Sequence, residues 1–372
     1  MKTIKLRSED LQVGIKLPWP IFDADGKQLL QKDHVITPED QIAALVEHGV
    51  FRSDEAAEPQ GETRANRQLT PFELFYEFTG RIKSLLVQIE QKDGGAGEQI
   101  TKLSGDIREL CDREPDAALA TVCLCNDPPY TLCHPIHVAI LSALVAKRME
   151  YSADKRTTII AAALTSNVSM RKLQDLLCQQ KAPLTPEQRA QIAAHPDQSV
   201  SMLKEAGVTD DFWLSLVKQH HERIDGSGYP SSLKGDAIAM EALILGMADA
   251  FSAMVSERAY RSAVPAKDAL RDFFVSRGKQ FHESLAVVFI KELGVYPPGI
   301  FVQLENGERG VVIKRASDGS VYPTVSSYLL PGGTLRTQPL LHNADKKKIA
   351  IKSTCAADPR VSSMLNKLWG FA

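Results

Sequence analysis

The chain has 372 residues, of which 44% are hydrophobic and 24% are charged, and its formal net charge is -2. This length predicts two or three folding units, and the near-neutral charge excludes a broad electrostatic surface for nucleic acid or anionic membrane. The N-terminal residues have no apolar signal core, and no run reaches the ~20 apolar residues of a membrane span. The six cysteines follow no disulfide framework, which predicts reduced thiols and a cytoplasmic protein.

Residues 1–53 are predicted to form a small N-terminal α/β module. Asp25 and Gly26 lie between two apolar runs, and both residue types tolerate the positive φ that a hairpin turn requires. A helix is predicted to open at Thr37 and to close at Gly49, because its apolar residues recur at helical spacing between these two signals. An accessory module is the simplest interpretation of this segment.

Residues 54–69 are polar with almost no apolar side chains, which predicts a linker. Thr70 followed by Glu73 forms a capping-box pattern at the start of an apolar-periodic segment. A Gly-rich break divides that segment, so residues 70–112 are predicted to form a helical hairpin. The same hairpin offers a surface for a homodimer.

Residues 113–297 are almost wholly helical in pattern. Thr185 starts a helix that is predicted to carry His195 near its end. Asp249 lies in the middle of an apolar helix, where a carboxylate needs a partner because burying an unpaired charge is costly. This segment is therefore predicted to be a helical domain with polar groups inside its core.

Residues 298–372 change from helical to strand periodicity. Asn306 and Gly307 are typical of a hairpin turn, and Asp318 and Gly319 indicate another. The sequence VSSMLNKLW then predicts a short terminal helix. The predicted fold class is mainly α, with a helical bundle, the N-terminal α/β module and a small C-terminal β-rich extension.

The stretch HHERIDGSGYP at residues 220–230 carries the densest chemistry in the chain. Adjacent imidazoles with nearby carboxylates suit a divalent metal, whereas a capped helix end before a Gly-rich loop is the alternative interpretation. The stretch resembles the signature of the HD-GYP family. The resemblance, which covers roughly residues 115–296, implies a cyclic di-GMP phosphodiesterase on the all-helical HD metal-phosphohydrolase scaffold.

The resemblance also implies a set of metal ligands. A single helical histidine is more often structural than a ligand, but several candidates that match one family pattern favour a metal site. The candidates that the resemblance assigns are His134, His195, His220, His221 and Asp249.

The chain departs from the family at the His-Asp pair that names the HD scaffold. Ser166 and Asn167 stand at the two positions of the pair, Ser169 at a glycine position and Met170 at a lysine position. Tyr130 stands where some members have a glutamate for a third metal. Without a bridging carboxylate, two divalent cations would repel each other strongly. We therefore expect iron, manganese or zinc to be sub-stoichiometric or absent.

Two half-sites remain after this loss. One pairs His134 with Asp249, and the other joins His195 to His220 and His221. Two imidazoles with water ligands hold a divalent ion at low affinity.

The resemblance assigns two further groups. Arg258 and Arg261, predicted to share one helical face, match positions that contact the dinucleotide, and guanidinium groups suit phosphate. A solvated helix end is the alternative interpretation of the two arginines. The loop Gly228, Tyr229 and Pro230 matches a motif linked to contacts with GGDEF-type diguanylate cyclases, although a loop kept for structure alone would look the same.

Three functions follow as hypotheses. The first is a catalytically impaired HD-GYP protein that acts in cyclic di-GMP signalling by binding the nucleotide or a partner protein. The second is an active metal-dependent phosphodiesterase that hydrolyses cyclic di-GMP to pGpG or GMP, and the third is a structural adaptor. Ser166 and Asn167 separate the first from the second.

Overall fold

The computed structural model describes residues 3–5, 20–23, 27–31, 51–53, 68–258, 261–316, 322–343 and 349–371. The chain divides into two compact units, residues 1–68 and residues 69–372. The predicted helix between Thr37 and Gly49, most of the predicted linker and the two Asp-Gly turns lie outside the described residues. The predicted domain boundaries stay predictions.

The first unit contains a four-stranded sheet. Its strands are β1 (Thr3–Lys5), β2 (Ile21–Phe22), β3 (Gln28–Leu30) and β4 (Phe51–Ser53), in the order β1-β4-β2-β3. Strands β2 and β3 pair antiparallel, as a hairpin turn at Asp25-Gly26 requires.

The second unit is built mainly of helices. They are α1 (Pro71–Glu90), α2 (Ala96–Arg113), α3 (Pro115–Leu124), α4 (Tyr130–Arg148), α5 (Ala153–Thr165), α6 (Arg171–Gln179), α7 (Pro186–Glu205), α8 (Asp211–Gln219), α9 (Met240–Val255), α10 (Ala266–Val275), α11 (Glu283–Leu293) and α12 (Leu365–Trp369). The predicted capping box at the start of α1 is confirmed. Thr70 Oγ1 accepts from the Glu73 amide at 3.3 Å, and Glu73 Oε2 accepts from the Thr70 amide at 2.8 Å.

Helix α4 is the centre of the helical core and packs against α2, α5 and α9. Its residues are buried from Cys133 to Ala146. By length and composition it could also cross a membrane, but 89% of its apolar window is buried inside the protein. Helix α4 is therefore explained by its place in the core, and it carries His134 into that core.

A five-stranded antiparallel sheet packs on the helical core at the C-terminal end. Its strands are β5 (Phe301–Leu304), β6 (Arg309–Lys314), β7 (Thr324–Leu329), β8 (Leu335–Asn343) and β9 (Ile351–Thr354), in the order β8-β7-β6-β5-β9. Gly307 adopts a φ of 85° between β5 and β6, which confirms the predicted hairpin. Phe301 and Tyr328 join the main hydrophobic core. The predicted fold class, mainly α with a small C-terminal sheet, is confirmed.

The predicted position of His195 near a helix end is wrong. Helix α7 continues past Pro196 to Glu205. Proline has no backbone N–H to donate to the carbonyl four residues earlier, and here that carbonyl, Ile192 O, is contacted by His195 Nδ1 at 2.6 Å. The histidine side chain thus satisfies the acceptor that the proline leaves.

The predicted helical face shared by Arg258 and Arg261 is also wrong. Helix α9 ends at Val255, and Ser256 is extended with φ -90° and ψ 137°. The two arginines instead exchange backbone hydrogen bonds of 3.0 Å in each direction. Helical periodicity therefore does not relate their side chains.

Candidate metal and ligand site

Three histidines form the cluster that best suits a metal. His195 lies within α7, His220 caps the end of α8, and His221 follows it. The Nδ1 atoms of His195 and His220 lie 2.6 Å from the carbonyl oxygens of Ile192 and Val217. Because a carbonyl only accepts, both Nδ1 atoms carry the proton. The Nε2 atoms of both rings therefore present lone pairs.

The two Nε2 lone pairs face each other at close range. The Nε2 atoms of His195 and His220 are 3.2 Å apart, and with both Nδ1 atoms protonated neither ring has a second proton to donate. Burial lowers the pKa of His195 and lowers that of His220 well below its usual value. One ligand nitrogen from each of the three histidines lies within 4.8 Å of the others. The donor set therefore fits a divalent ion such as zinc, iron or manganese.

His221 is held by the loop that follows it. Its ring centroid lies 4.8 Å from that of Tyr229, and burial lowers the pKa of His221 to about 4. A Cβ at Gly228 would come within 2.5 Å of the His221 carbonyl oxygen and within 2.4 Å of the Arg223 amide nitrogen. Only glycine allows the chain to approach itself so closely, so Gly228 fixes the position of Tyr229 over His221.

The two acids of the motif serve the loop and not the cluster. Glu222 is buried and accepts from the Ser231 and Leu233 amides at 2.7 and 3.0 Å. Asp225 accepts from the amide and hydroxyl of Ser227 at 2.9 and 2.6 Å. Both carboxylates stabilise the turn. This agrees with the alternative interpretation of the motif as a capped helix end before a Gly-rich loop.

The second half-site is a hydrogen-bonded pair. His134 Nε2 lies 2.8 Å from Asp249 Oδ1, and His134 Nδ1 lies 3.0 Å from Ser252 Oγ. A carboxylate only accepts, so Nε2 carries the proton and the Ser252 hydroxyl donates to Nδ1. His134 could hold a metal only after this proton moved to Nδ1, where the serine oxygen could accept it.

Asp249 is the single carboxylate among the described residues that line the cavity next to His134, His195 and His221. Burial alone would raise the pKa of Asp249, but the hydrogen bond from His134 and the nearby His221 and His220 hold it below its usual value. The Asn167 amide also donates to Asp249 Oδ1 at 3.4 Å. The neutral side chain of Asn167 thus faces Asp249, where a second carboxylate would be needed to bridge two metals.

The other residues at the positions where the chain departs from the family are uncharged. Ser166 is buried at the end of α5 and donates to the Ala163 carbonyl at 3.3 Å. Met170 lines the cavity, and Ser169 Oγ donates to the His195 carbonyl at 2.9 Å. Of these positions, Asn167 and Met170 line the cavity, and both side chains are uncharged.

The cavity has a volume of about 510 Å³ and is open to solvent. His134, His195, His221 and Asp249 are among the residues that line it. Residues of helix α6 and residues 180–184 also line the cavity, and α6 has no buried residue. Arg258 lines the cavity. Arg261 is exposed and is not among the lining residues, and its Nη2 donates to the Ala253 carbonyl at 2.6 Å.

Several features of the site were missed by the sequence analysis. A second cavity of about 360 Å³ lies against His220, His221 and Tyr229, with Gln280 and His282 in its wall. Nothing in the sequence pattern indicates it. Ser252 is fully buried and cannot meet a ligand, but it lies three residues after Asp249, a helical spacing that could have indicated the contact with His134.

The arrangement offers nitrogen ligands for one cation and a guanidinium group for an anion. A metal at the three histidines would act as a Lewis acid and would lower the pKa of a bound water. His134 and Asp249 are hydrogen-bonded to each other, so the Nε2 atom of His134 is not free to bind a metal in this arrangement. Arg258 supplies a cationic group for phosphate in the same cavity.

Comparison with known proteins agrees with this fold. Residues 113–283 match the family model described as "HD domain". A cyclic di-GMP phosphodiesterase of Pseudomonas aeruginosa is 28% identical over 216 residues, 58% of this chain and 52% of its own length. The cyclic di-GMP phosphodiesterase PdeB of Borreliella burgdorferi is 22% identical over 204 residues, 55% of this chain and 53% of its own length. The chain therefore spans about half the length of these relatives.

A solved structure shares the fold. It is an HDG"Y"P protein from Bdellovibrio bacteriovorus, with a TM-score of 0.51 and 14% sequence identity, covering 78% of this chain and 99% of that protein. At this identity the likeness extends to the fold alone.

Proposed function

We propose that the chain, whose residues 113–283 match the HD domain family model, acts in cyclic di-GMP signalling as a catalytically impaired member of the HD-GYP kind. It binds the nucleotide, or a partner protein, without hydrolysing the phosphodiester. Nucleotide binding is the mode that the open cavity supports best. The proposed partner of the Gly228–Pro230 loop is a GGDEF-type diguanylate cyclase.

One observation carries the proposal: Asp249 is the single carboxylate among the described residues that line the cavity. Two divalent cations in one site need a bridging anion, because their mutual repulsion is several times that of two unit charges at the same distance. Asn167 stands 3.4 Å from Asp249 and brings no charge. A metal pair that activates water for attack on phosphorus is therefore not supported.

The three-histidine cluster favours a second candidate. Its nitrogens lie within 4.8 Å of one another, so a single metal at this cluster could still lower the pKa of a water molecule. An active metal-dependent phosphodiesterase that yields pGpG or GMP is therefore the alternative. Both candidate functions predict binding of cyclic di-GMP, but only the phosphodiesterase predicts its hydrolysis.

Three measurements on the purified full chain separate the candidates. We expect elemental analysis to find at most one divalent ion per chain. Chromatography should find no pGpG or GMP after incubation of cyclic di-GMP with manganese, iron or zinc. Calorimetry should show cyclic di-GMP binding. Two tightly held ions or metal-dependent turnover would establish the phosphodiesterase instead.

A matched pair of variants tests the position of the nucleotide. Arg258 lines the cavity and Arg261 does not, so Arg258→Ala should weaken binding by about 10- to 150-fold, the loss of one charge-assisted hydrogen bond. Arg261→Ala is the control and should bind within about twofold of the wild type. If the wild type shows no heat and pulls down a diguanylate cyclase, the chain is an adaptor and nucleotide binding is rejected.

A further inference from the structure

Tyr130 lies at the first residue of α4, beside His134. The two ring centroids are 4.8 Å apart and the ring planes are inclined by 19°. The guanidinium carbon of Arg258 lies 4.6 Å from the Tyr130 ring centroid, and Arg258 Nη2 donates a hydrogen bond to the Tyr130 hydroxyl. Tyr130 therefore contacts Arg258 both through its ring and through its oxygen.

The contact with Tyr130 restricts the direction of the Arg258 side chain. Arg258 follows the end of α9 at Val255 and lies outside any helix. A side chain on an irregular segment is not oriented by a helical face, and an arginine loses much rotamer freedom when it is ordered. An aromatic face together with a hydroxyl acceptor restricts both the plane and the direction of the guanidinium.

The cavity has few permanent positive charges that could contact a phosphate. Among the described residues that line the cavity, Arg258 and Lys181 carry a permanent positive charge. Lys181 is exposed on the segment after α6, whereas Arg258 is partly buried next to Tyr130 and His134. Asp249 is already matched by its hydrogen bond with His134 at 2.8 Å. Arg258 is thus the partly buried permanent cation among these lining residues.

We propose that Tyr130 is a positioning residue that orients the guanidinium of Arg258 toward a phosphate group of the bound ligand. A fixed organic cation then supplies positive charge that a fully loaded metal centre would otherwise provide. This inference rests on the proposed nucleotide binding and goes beyond it, since it assigns to Tyr130 a function that acts through Arg258.

A double-mutant cycle tests the proposal with cyclic di-GMP as the probe. The proteins are the wild type, Tyr130→Phe, Arg258→Ala and the double variant, titrated calorimetrically at low and high salt. Tyr130→Phe keeps the ring and removes the acceptor, so we expect binding to weaken about 3- to 10-fold. In the Arg258→Ala background the same substitution should change affinity by less than about twofold. An equal loss in both backgrounds would overturn the proposal.

A measurement without ligand keeps the two hypotheses separate. The Nε–H resonance of Arg258 is assigned by its absence from the Arg258→Ala spectrum. Tyr130→Leu should shift it because the aromatic ring current is removed, whereas Tyr76→Leu, at an exposed tyrosine on helix α1, should not. If cyclic di-GMP fails to bind, the proposed function fails while this shift still tests the contact. An unchanged resonance in Tyr130→Leu would overturn the positioning role.

Discussion

The contact between Asn167 and Asp249 makes a prediction about metal dependence. The Asn167 amide donates to Asp249 Oδ1 at 3.4 Å in a buried wall of the cavity. The substitution Asn167→Asp replaces this donor with a second carboxylate of nearly the same shape. The hydrogen bond between residue 167 and Asp249 is thereby replaced by repulsion between two carboxylates, while the volume of the side chain at position 167 stays almost the same.

The size of the effect follows from this distance. Two unit charges 3.4 Å apart repel by about 5 kcal/mol at an effective dielectric constant of about 20. Protonation of one carboxyl limits the loss, since about 5 kcal/mol corresponds to roughly 3.6 pKa units. At neutral pH and without metal, the variant should therefore lose about 2 to 5 kcal/mol of stability. A divalent cation bound between the two carboxylates reverses the sign of the interaction.

Thermal unfolding with and without metal checks this reasoning. We expect Asn167→Asp to unfold several degrees below the wild type in a chelator and to recover most of that difference in manganese or zinc, with more bound metal by elemental analysis. Gln191→Glu, which makes the same chemical change at an exposed site, is the control and should change little. Equal unfolding temperatures and equal metal contents for Asn167→Asp and the wild type in both buffers would refute the assigned geometry.

Four further outcomes are expected. Adding Ser166→His to Asn167→Asp should raise metal content above that of the single variant, as elemental analysis can show. Burial lowers the pKa of His137 to about 3. Below pH 6.5 His137 is therefore protonated in the unfolded chain and stays neutral in the folded chain. The free energy of unfolding then falls by up to about 1.4 kcal/mol for each pH unit that the pH drops. Urea unfolding measured between pH 7 and pH 5 should show that this pH dependence is weaker by about that amount in His137→Asn. Gly228→Ala should destabilise by about 1 to 3 kcal/mol because its Cβ meets backbone atoms within 2.5 Å. Gly80→Ala, whose Cβ meets nothing within 4 Å, should stabilise by about 0.5 to 1 kcal/mol.

Local signals in the sequence were reliable where the structure depends on neighbouring residues. The capping box at Thr70 and the turn at Gly307 form as predicted, because each is decided within a few residues of the chain. The end of α9 was missed because apolar residues continue at helical spacing beyond Val255, while the backbone becomes extended at Ser256. Periodicity records which face is apolar and does not record where the backbone leaves the helix.

The candidate site was predictable in its residue types and less so in its chemistry. The sequence grouped His195 with His220 and His221, and the structure brings their ligand atoms together. Which nitrogen carries each proton depends on carbonyls such as Ile192 O, whose positions only the folded chain defines. The contact between Tyr130 and Arg258 joins residues far apart in sequence. Helical or strand periodicity in the sequence cannot predict a contact between residues so far apart.

Helix α6 has a kinetic consequence for ligand exchange. No residue of α6 is buried, and polar contacts connect it to its neighbours, namely Arg171 with Glu90 at 2.9 Å and Thr131 with Asp175 at 2.8 Å. A segment without fully buried residues opens locally at a lower free energy than the core. We therefore expect this part of the cavity wall to open and reclose more often than the core unfolds. Substitutions at Arg171 or Asp175 should consequently change ligand residence time while leaving the unfolding of the core almost unchanged.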